Sequence, residues 1–137
     1  MHDRPNIREL LDVVQSFLDE EIVPATKGRK QFLARVAANC VRMVDRELQL
    51  EGEQFERAWR GLDDLFGPEA APADRIGQAE AVTGRIGLLC AQIREGLHDE
   101  GSEHYDRTLE FVRARVRDKL EVSNPRLLAA DAERGIE

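Results

Sequence analysis

A chain of 137 residues has room for one domain, and 42% hydrophobic content is too rich for a disordered acidic tail. The formal net charge of −7, from 27 Asp+Glu against 20 Lys+Arg, speaks against a general nucleic-acid binder, which needs a basic surplus to neutralise phosphates. Two cysteines make no disulfide framework, so any core must come from packing.

Apolar residues recur at three- and four-residue spacing nearly everywhere, and strand-like alternation is absent. This predicts an all-α fold: a bundle of four to five helices over residues 1–126, then a short docked segment and frayed polar tail over 127–137. The first helix is expected over Ile7–Ile22, with Asn6 as N-cap and Glu9 completing a capping box. Its apolar stripe reads Ile7, Leu10, Leu11, Val14, Phe17, Leu18 and Ile22, and Pro24 and Gly28 then mark a turn.

The second helix is expected over Arg29–Leu50, closing at Gly52. Its stripe of Phe32, Leu33, Val36, Ala37, Cys40, Val44 and Leu48 is widened by Ala34, Ala38, Val41 and Met43. A helix apolar over more than half its circumference is normally central, so it is expected to be the spine of the bundle. A third helix should cover Glu53–Leu65 with Phe55, Ala58, Trp59, Leu62 and Phe66 inward, and Gly67–Ala73 should be a loop.

Asp74 can cap a fourth helix running to Arg94, with Ile76, Ala79, Val82, Ile86, Leu89, Cys90 and Ile93 inward. Gly77, Gly84 and Gly87 either allow a close helix approach or leave this helix mobile. After a turn over 96–101, Ser102 opens a fifth helix to Val122, with Tyr105, Leu109, Val112, Val116 and Leu120 as its stripe. Pro125 should end it at Asn124.

The first residues lack the layout of a secretory signal, and no apolar run approaches the roughly 20 residues that span a bilayer. Cys40 and Cys90 fall on apolar stripes, which reads as reduced core thiols in a cytoplasmic protein.

Some residues break the pattern. Arg35, Asn39, Arg42 and Arg46 form a narrow polar strip on the second helix. Arginine forks suit carboxylates and phosphates, so the strip is a candidate anion site, or else a solvated face paired with Asp12, Asp19 or Glu20. Glu47 falls among Val36, Cys40 and Val44, on the face expected to be buried. An ionised carboxylate there needs a partner such as Arg4, Arg126 or a fifth-helix arginine, or else has a raised pKa and acts as acid or base.

His98, Asp99, Glu100, Glu103 and His104 crowd one turn, but their spacing matches no zinc or calcium site, so no metal or other cofactor is expected. Arg113, Arg115, Arg117 and Lys119 alternate around the fifth helix and read as a solvated flank. Trp59, Tyr105 and the phenylalanines sit at core spacing. No glycine-rich phosphate loop, nucleophile elbow, His-Glu-x-x-His or Cys/His pair with an orienting group occurs.

Several stretches resemble a family of small bacterial proteins of unknown function. They are Asp3-Arg4-Pro5 with Glu9-Leu10-Leu11, then Arg35-Val36-Ala37-Ala38-Asn39, Arg46-Glu47-Leu48, and Lys119-Leu120 with Asn124-Pro125-Arg126. The resemblance implies an association with aminoglycoside-phosphotransferase-like kinases and acyl-CoA dehydrogenase-like enzymes. It implies no catalytic role, and it draws attention to Arg35, Asn39, Glu47 and Arg126.

The expected function is therefore a non-catalytic accessory or protein-interaction module, a homodimer or a partner of such an enzyme, with no nucleic acid or membrane involved. The alternative is a small-molecule binding or enzymatic module that takes an anionic ligand such as a phosphate or CoA ester on Arg35, Asn39 and Arg46, with Glu47 behind them and Arg126 as a further candidate ligand-binding residue.

Overall fold

The computed structural model describes residues 4–134. The described residues are helical, with connecting turns and loops and no strand. Helix α1 comprises Ile7–Ser16, a wider π-helical stretch Phe17–Ile22 and a last turn Val23–Ala25. Four further helices follow: α2 (Gly28–Phe66), α3 (Arg75–Arg94), α4 (Tyr105–Ser123) and α5 (Pro125–Glu133). Asp3 and the end of the polar tail lie outside the described residues.

The expected second and third helices are one. Gly52 sits inside α2 and does not close it. Glycine costs a helix interior about 1 kcal/mol relative to alanine. The flanking Glu47, Leu48, Gln49, Leu50, Glu51 and Glu53 are good helix formers, so the chain carries the helix across. Nothing lies within 4 Å of where a Gly52 side chain would stand. Gly52→Ala should therefore raise the melting temperature, with a gain of about 0.5–1 kcal/mol. A loss of stability would show that the helix is broken there.

The chain divides into two compact units, Met1–Leu50 and Glu51–Glu137, with α2 running through the boundary. In the first unit, α1 and the first half of α2 form an antiparallel hairpin. Asn6 starts it as the sequence predicts: its Oδ1 accepts from the N–H of Arg8 and of Glu9 at 3.0 Å each, and Glu9 returns an acceptor to the Asn6 N–H at 2.9 Å. Gln31 Nε2 donates to the Val23 carbonyl at 3.0 Å and closes the turn. Arg42 pairs with Asp19 at 2.5 Å, and Arg8 Nε lies 3.5 Å from Asp45.

The hairpin does not enclose α2. Only Ala34 and Ala38 are buried in its first half, while Phe32 is 63% exposed and Leu33 51%. Val36, Val44 and Cys40 are also exposed, so neither the expected spine nor the expected core thiol at position 40 is found; Cys90 is half-buried. The physical reason is that α1 shields the side of α2 bearing Ala34, Ala38 and Asp45, and the apolar arc points elsewhere.

The second unit builds its core from the end of α2, with α3 and α4. Leu62, Leu89 and Phe111 form its centre, with Leu65, Phe66, Val82 and Ile86 packed against them. Ala58, Trp59 and Val122 are buried as well. Gly61 lets Phe111 in close: a Cβ there would stand 2.7 Å from the Phe111 ring. Gly67 ends α2 in the left-handed region at φ 89°, and its N–H bonds the Asp63 carbonyl at 2.8 Å. Asp74 caps α3 through the Gly77 N–H at 2.9 Å, and α3 ends at Arg94 as predicted.

Two inward faces differ from expectation. On α3, Ile76 and Ile93 are exposed and Arg85 is buried; Gly84 and Gly87 face open space and mediate no close approach. On α4 the buried residues are Thr108, Phe111, Asp118 and Val122, about one position from the predicted stripe, while Val112 and Val116 are open. The face is chosen by Phe111 packing on Leu62 and Leu89 and by the polar partners of Asp118, neither of which apolar spacing records. Pro125 ends α4 but at once starts α5 in the first-turn position where proline is tolerated. Leu128 is half-buried and Leu127 exposed.

Candidate functional site

The polar strip of α2 is divided in its roles. Arg42 is held by Asp19, as the acids of the first helix allowed. Arg46 is half-buried and engaged. Arg35 and Asn39 are open to solvent, and Asn39 makes only a long contact to Met43 Sδ at 3.8 Å. Arg126 is exposed on α5, in the second unit.

Glu47 is exposed, with no hydrogen bond or ion pair among the described residues, which corrects the expectation of a buried, paired acid. Its angular position was read correctly. At about 100° per residue it lies amid Val36, Cys40 and Val44. The error lay in equating an apolar face with a covered one, because here the whole arc is open. The first unit thus presents two open apolar faces: Leu10, Val13, Val14 and Phe17 on α1, and Phe32, Leu33, Val36, Cys40 and Val44 on α2.

The second unit contains polar constellations that sequence reasoning missed. Asp118 is 3% exposed. Its Oδ1 accepts from Arg57 Nη2 at 2.7 Å and Nε at 3.1 Å, and its Oδ2 from Arg115 Nη1 at 2.9 Å. The hydrogen bond to Asp118, aided by the nearby charges of Asp118, Glu121 and Glu53, raises the Arg57 pKa above its ordinary value. Gln54 Nε2 adds bonds to the Asp118 carbonyl at 3.0 Å and to Glu121 at 3.3 Å.

Arg85, at 9% exposed, is a second hub. It donates to Asp63 at 2.8 Å and to the Gly67 carbonyl at 3.1 Å, and its guanidinium stacks over Trp59 at 4.7 Å. Trp59 Nε1 donates to the Glu69 carbonyl at 3.1 Å, so the loop after α2 is pinned by both side chains. Arg75 also pairs with Glu51.

In the crowded turn, His98 is buried and serves the fold. Its Nδ1 lies 2.6 Å from Thr108 Oγ1, and its Nε2 lies 3.0 Å from Gln92 Oε1. With the glutamine oxygen as acceptor, Nε2 carries the proton and the threonine hydroxyl donates to Nδ1. Among the described residues, no group of three metal-capable side chains is placed to hold an ion.

A cleft of about 220 Å³ lies between the end of α2 and α4, lined by Arg57, Arg60, Gly61, Asp64, Arg107 and Glu110, with Phe111 and Ala114. Arg57 is committed to Asp118, and Arg107 donates to the Asp64 carbonyl at 3.3 Å. Arg60 has no partner among the described residues. The signal for this cleft in the sequence was the absent side chain at Gly61, one helical turn from Arg57 and Asp64.

Among the described residues no helix is long and apolar enough to cross a membrane. No curated protein and no solved structure matches the chain. A family model described as a domain of unknown function, DUF6285, matches residues 24–127. That span takes in all of α2, α3 and α4, and the chain belongs to the DUF6285 family.

Proposed function

We propose that the protein is a non-catalytic accessory module that binds another protein through helix α1. The observation that carries this reading is the open row Leu10, Val13, Val14 and Phe17, in which Val13 is 69% exposed. These four residues fall within about 100° of one another on the helix, so they form one face. Single exposed apolar residues are ordinary, but a contiguous helical face is the geometry that seats in a partner's groove. The resemblance to proteins associated with aminoglycoside-phosphotransferase-like kinases and acyl-CoA dehydrogenase-like enzymes supplies the partner classes.

The test is co-purification of the tagged chain from its native host, with partners identified by mass spectrometry, beside a Val13→Asp/Phe17→Asp variant. The reading expects a protein of one of those two classes with the wild-type chain and its loss with the variant. Recovery of neither class overturns it.

A second reading, a module binding a small anion, is favoured by the cleft beside Arg60 and Arg107. Inorganic phosphate or a CoA ester should then raise the melting temperature of the wild-type chain and not of Arg60→Ala. No shift with either ligand rejects this reading.

A further inference from the structure

We infer that the open arc of α2 is the self-association face of the protein, and that its occupant is a second, antiparallel copy of the same helix. Phe32, Leu33, Val36, Cys40 and Val44 make an exposed apolar strip, and each end of it carries one charge. Arg29 stands at the start and Glu47 at the end; both are exposed and without a partner among the described residues. They are eighteen positions apart (29 to 47), which is five full turns, so they lie on the same line along the helix about 27 Å apart. By the helical wheel this line runs down the middle of the apolar arc, with Phe32, Met43 and Val36 on one side and Cys40, Leu33 and Val44 on the other.

A strip with opposite charges at its two ends is self-complementary under a two-fold axis, the symmetry of most homodimers. With the axis opposite residue 38, Arg29 of each copy meets Glu47 of the other, Phe32 meets Met43 on the shared flank, and Val36 meets Cys40 near the centre line. A parallel pairing instead brings Arg29 to Arg29 and Glu47 to Glu47, so charge selects the antiparallel arrangement. On the polar flank, Arg35 of one copy lies nearest Asn39 of the other, and Arg42 is already neutralised by Asp19. Like-charge opposition there is small. This also accounts for Glu47 itself: an acid on an apolar line, without a partner among the described residues, is paired when the second copy arrives.

The α1 face takes no part in this pairing, so the two surfaces stand or fall separately. The test is sedimentation equilibrium of the full chain as wild type, Arg29→Glu, Glu47→Arg and the double exchange. Wild type should dimerise, either single reversal should weaken the dimer by about tenfold or more, and the double exchange should return it to within about threefold of wild type. Val36→Asp should give a monomer, and thermal melts of dilute samples should show that the charge variants remain folded. A monomeric wild type, a dimer indifferent to the single reversals, or a double exchange that fails to recover would each overturn the inference. A strip found to bind a different protein in place of a second copy would do the same.

Discussion

Leu62→Ala should lower the free energy of unfolding by about 2–5 kcal/mol, the largest effect expected of any single apolar truncation in this chain. Leu62 is completely buried and sits with Leu89 and Phe111 at the centre of the second unit, so its removal leaves a cavity as well as losing transfer energy. Urea unfolding should show the transition moving to lower denaturant with little change in slope. Val13→Ala is the matched comparison. Val13 faces solvent, and its truncation should cost no more than about 0.5 kcal/mol. Equal losses at the two positions would mean that the division into a packed second-unit core and an open hairpin face is wrong.

Asp118→Ala is expected to cost about 3 kcal/mol. Breaking a buried ion pair by removing one member leaves its partners short of an acceptor: here Arg115 loses its acceptor, and Arg57 keeps only the more exposed Glu121 at 3.2 Å and Glu53 at 3.8 Å. The side chain of Arg57 is 41% exposed and can turn to water, which keeps the loss at the lower end of the range for buried pairs. Asp118→Asn, which keeps the shape and one acceptor oxygen, should fall between wild type and alanine. Denaturant titration at neutral pH measures both. A loss below about 1 kcal/mol for Asp118→Ala would show that the cluster is not desolvated.

Where side-chain chemistry acts locally, the sequence was readable. The Asn6–Glu9 box, the Asp74 cap, the Gly67–Ala73 loop, the stop before Pro125 and the all-α class follow from groups that satisfy or break helical hydrogen bonds within a few residues. Gly52 misled because its cost is small beside the helix propensity around it. The α4 face was misplaced because its selection depends on residues far away in the chain: Asp118 takes Arg57 as a partner beside its neighbour Arg115, and Phe111 packs on Leu62 and Leu89.

The second helix shows the deeper difficulty. Periodicity says which residues share a face, and it grouped Glu47 with Val36, Cys40 and Val44 correctly. It does not say whether that face is covered by the chain's own elements or by another molecule. Apolar content enough for one compact core is equally content enough for a smaller core and an interface. The cleft beside Arg60 was hidden for a related reason, since Arg57, Arg60 and Arg107 come from two helices more than forty residues apart. The −7 net charge, likewise, describes the chain and not its faces: α2 carries its own basic strip.

The apolar arc of α2 is exposed, and the proposed antiparallel pairing would cover it with a second copy. The most direct test of that pairing is the rate of Cys40 alkylation as a function of protein concentration, read by mass spectrometry with Cys90 as the internal comparison. The account predicts that Cys40 reacts faster than the half-buried Cys90 in dilute solution and becomes protected as the concentration rises through the dimer range. A Cys40 that is as slow as Cys90 at every dilution would place the arc inside the chain's own fold and contradict the account.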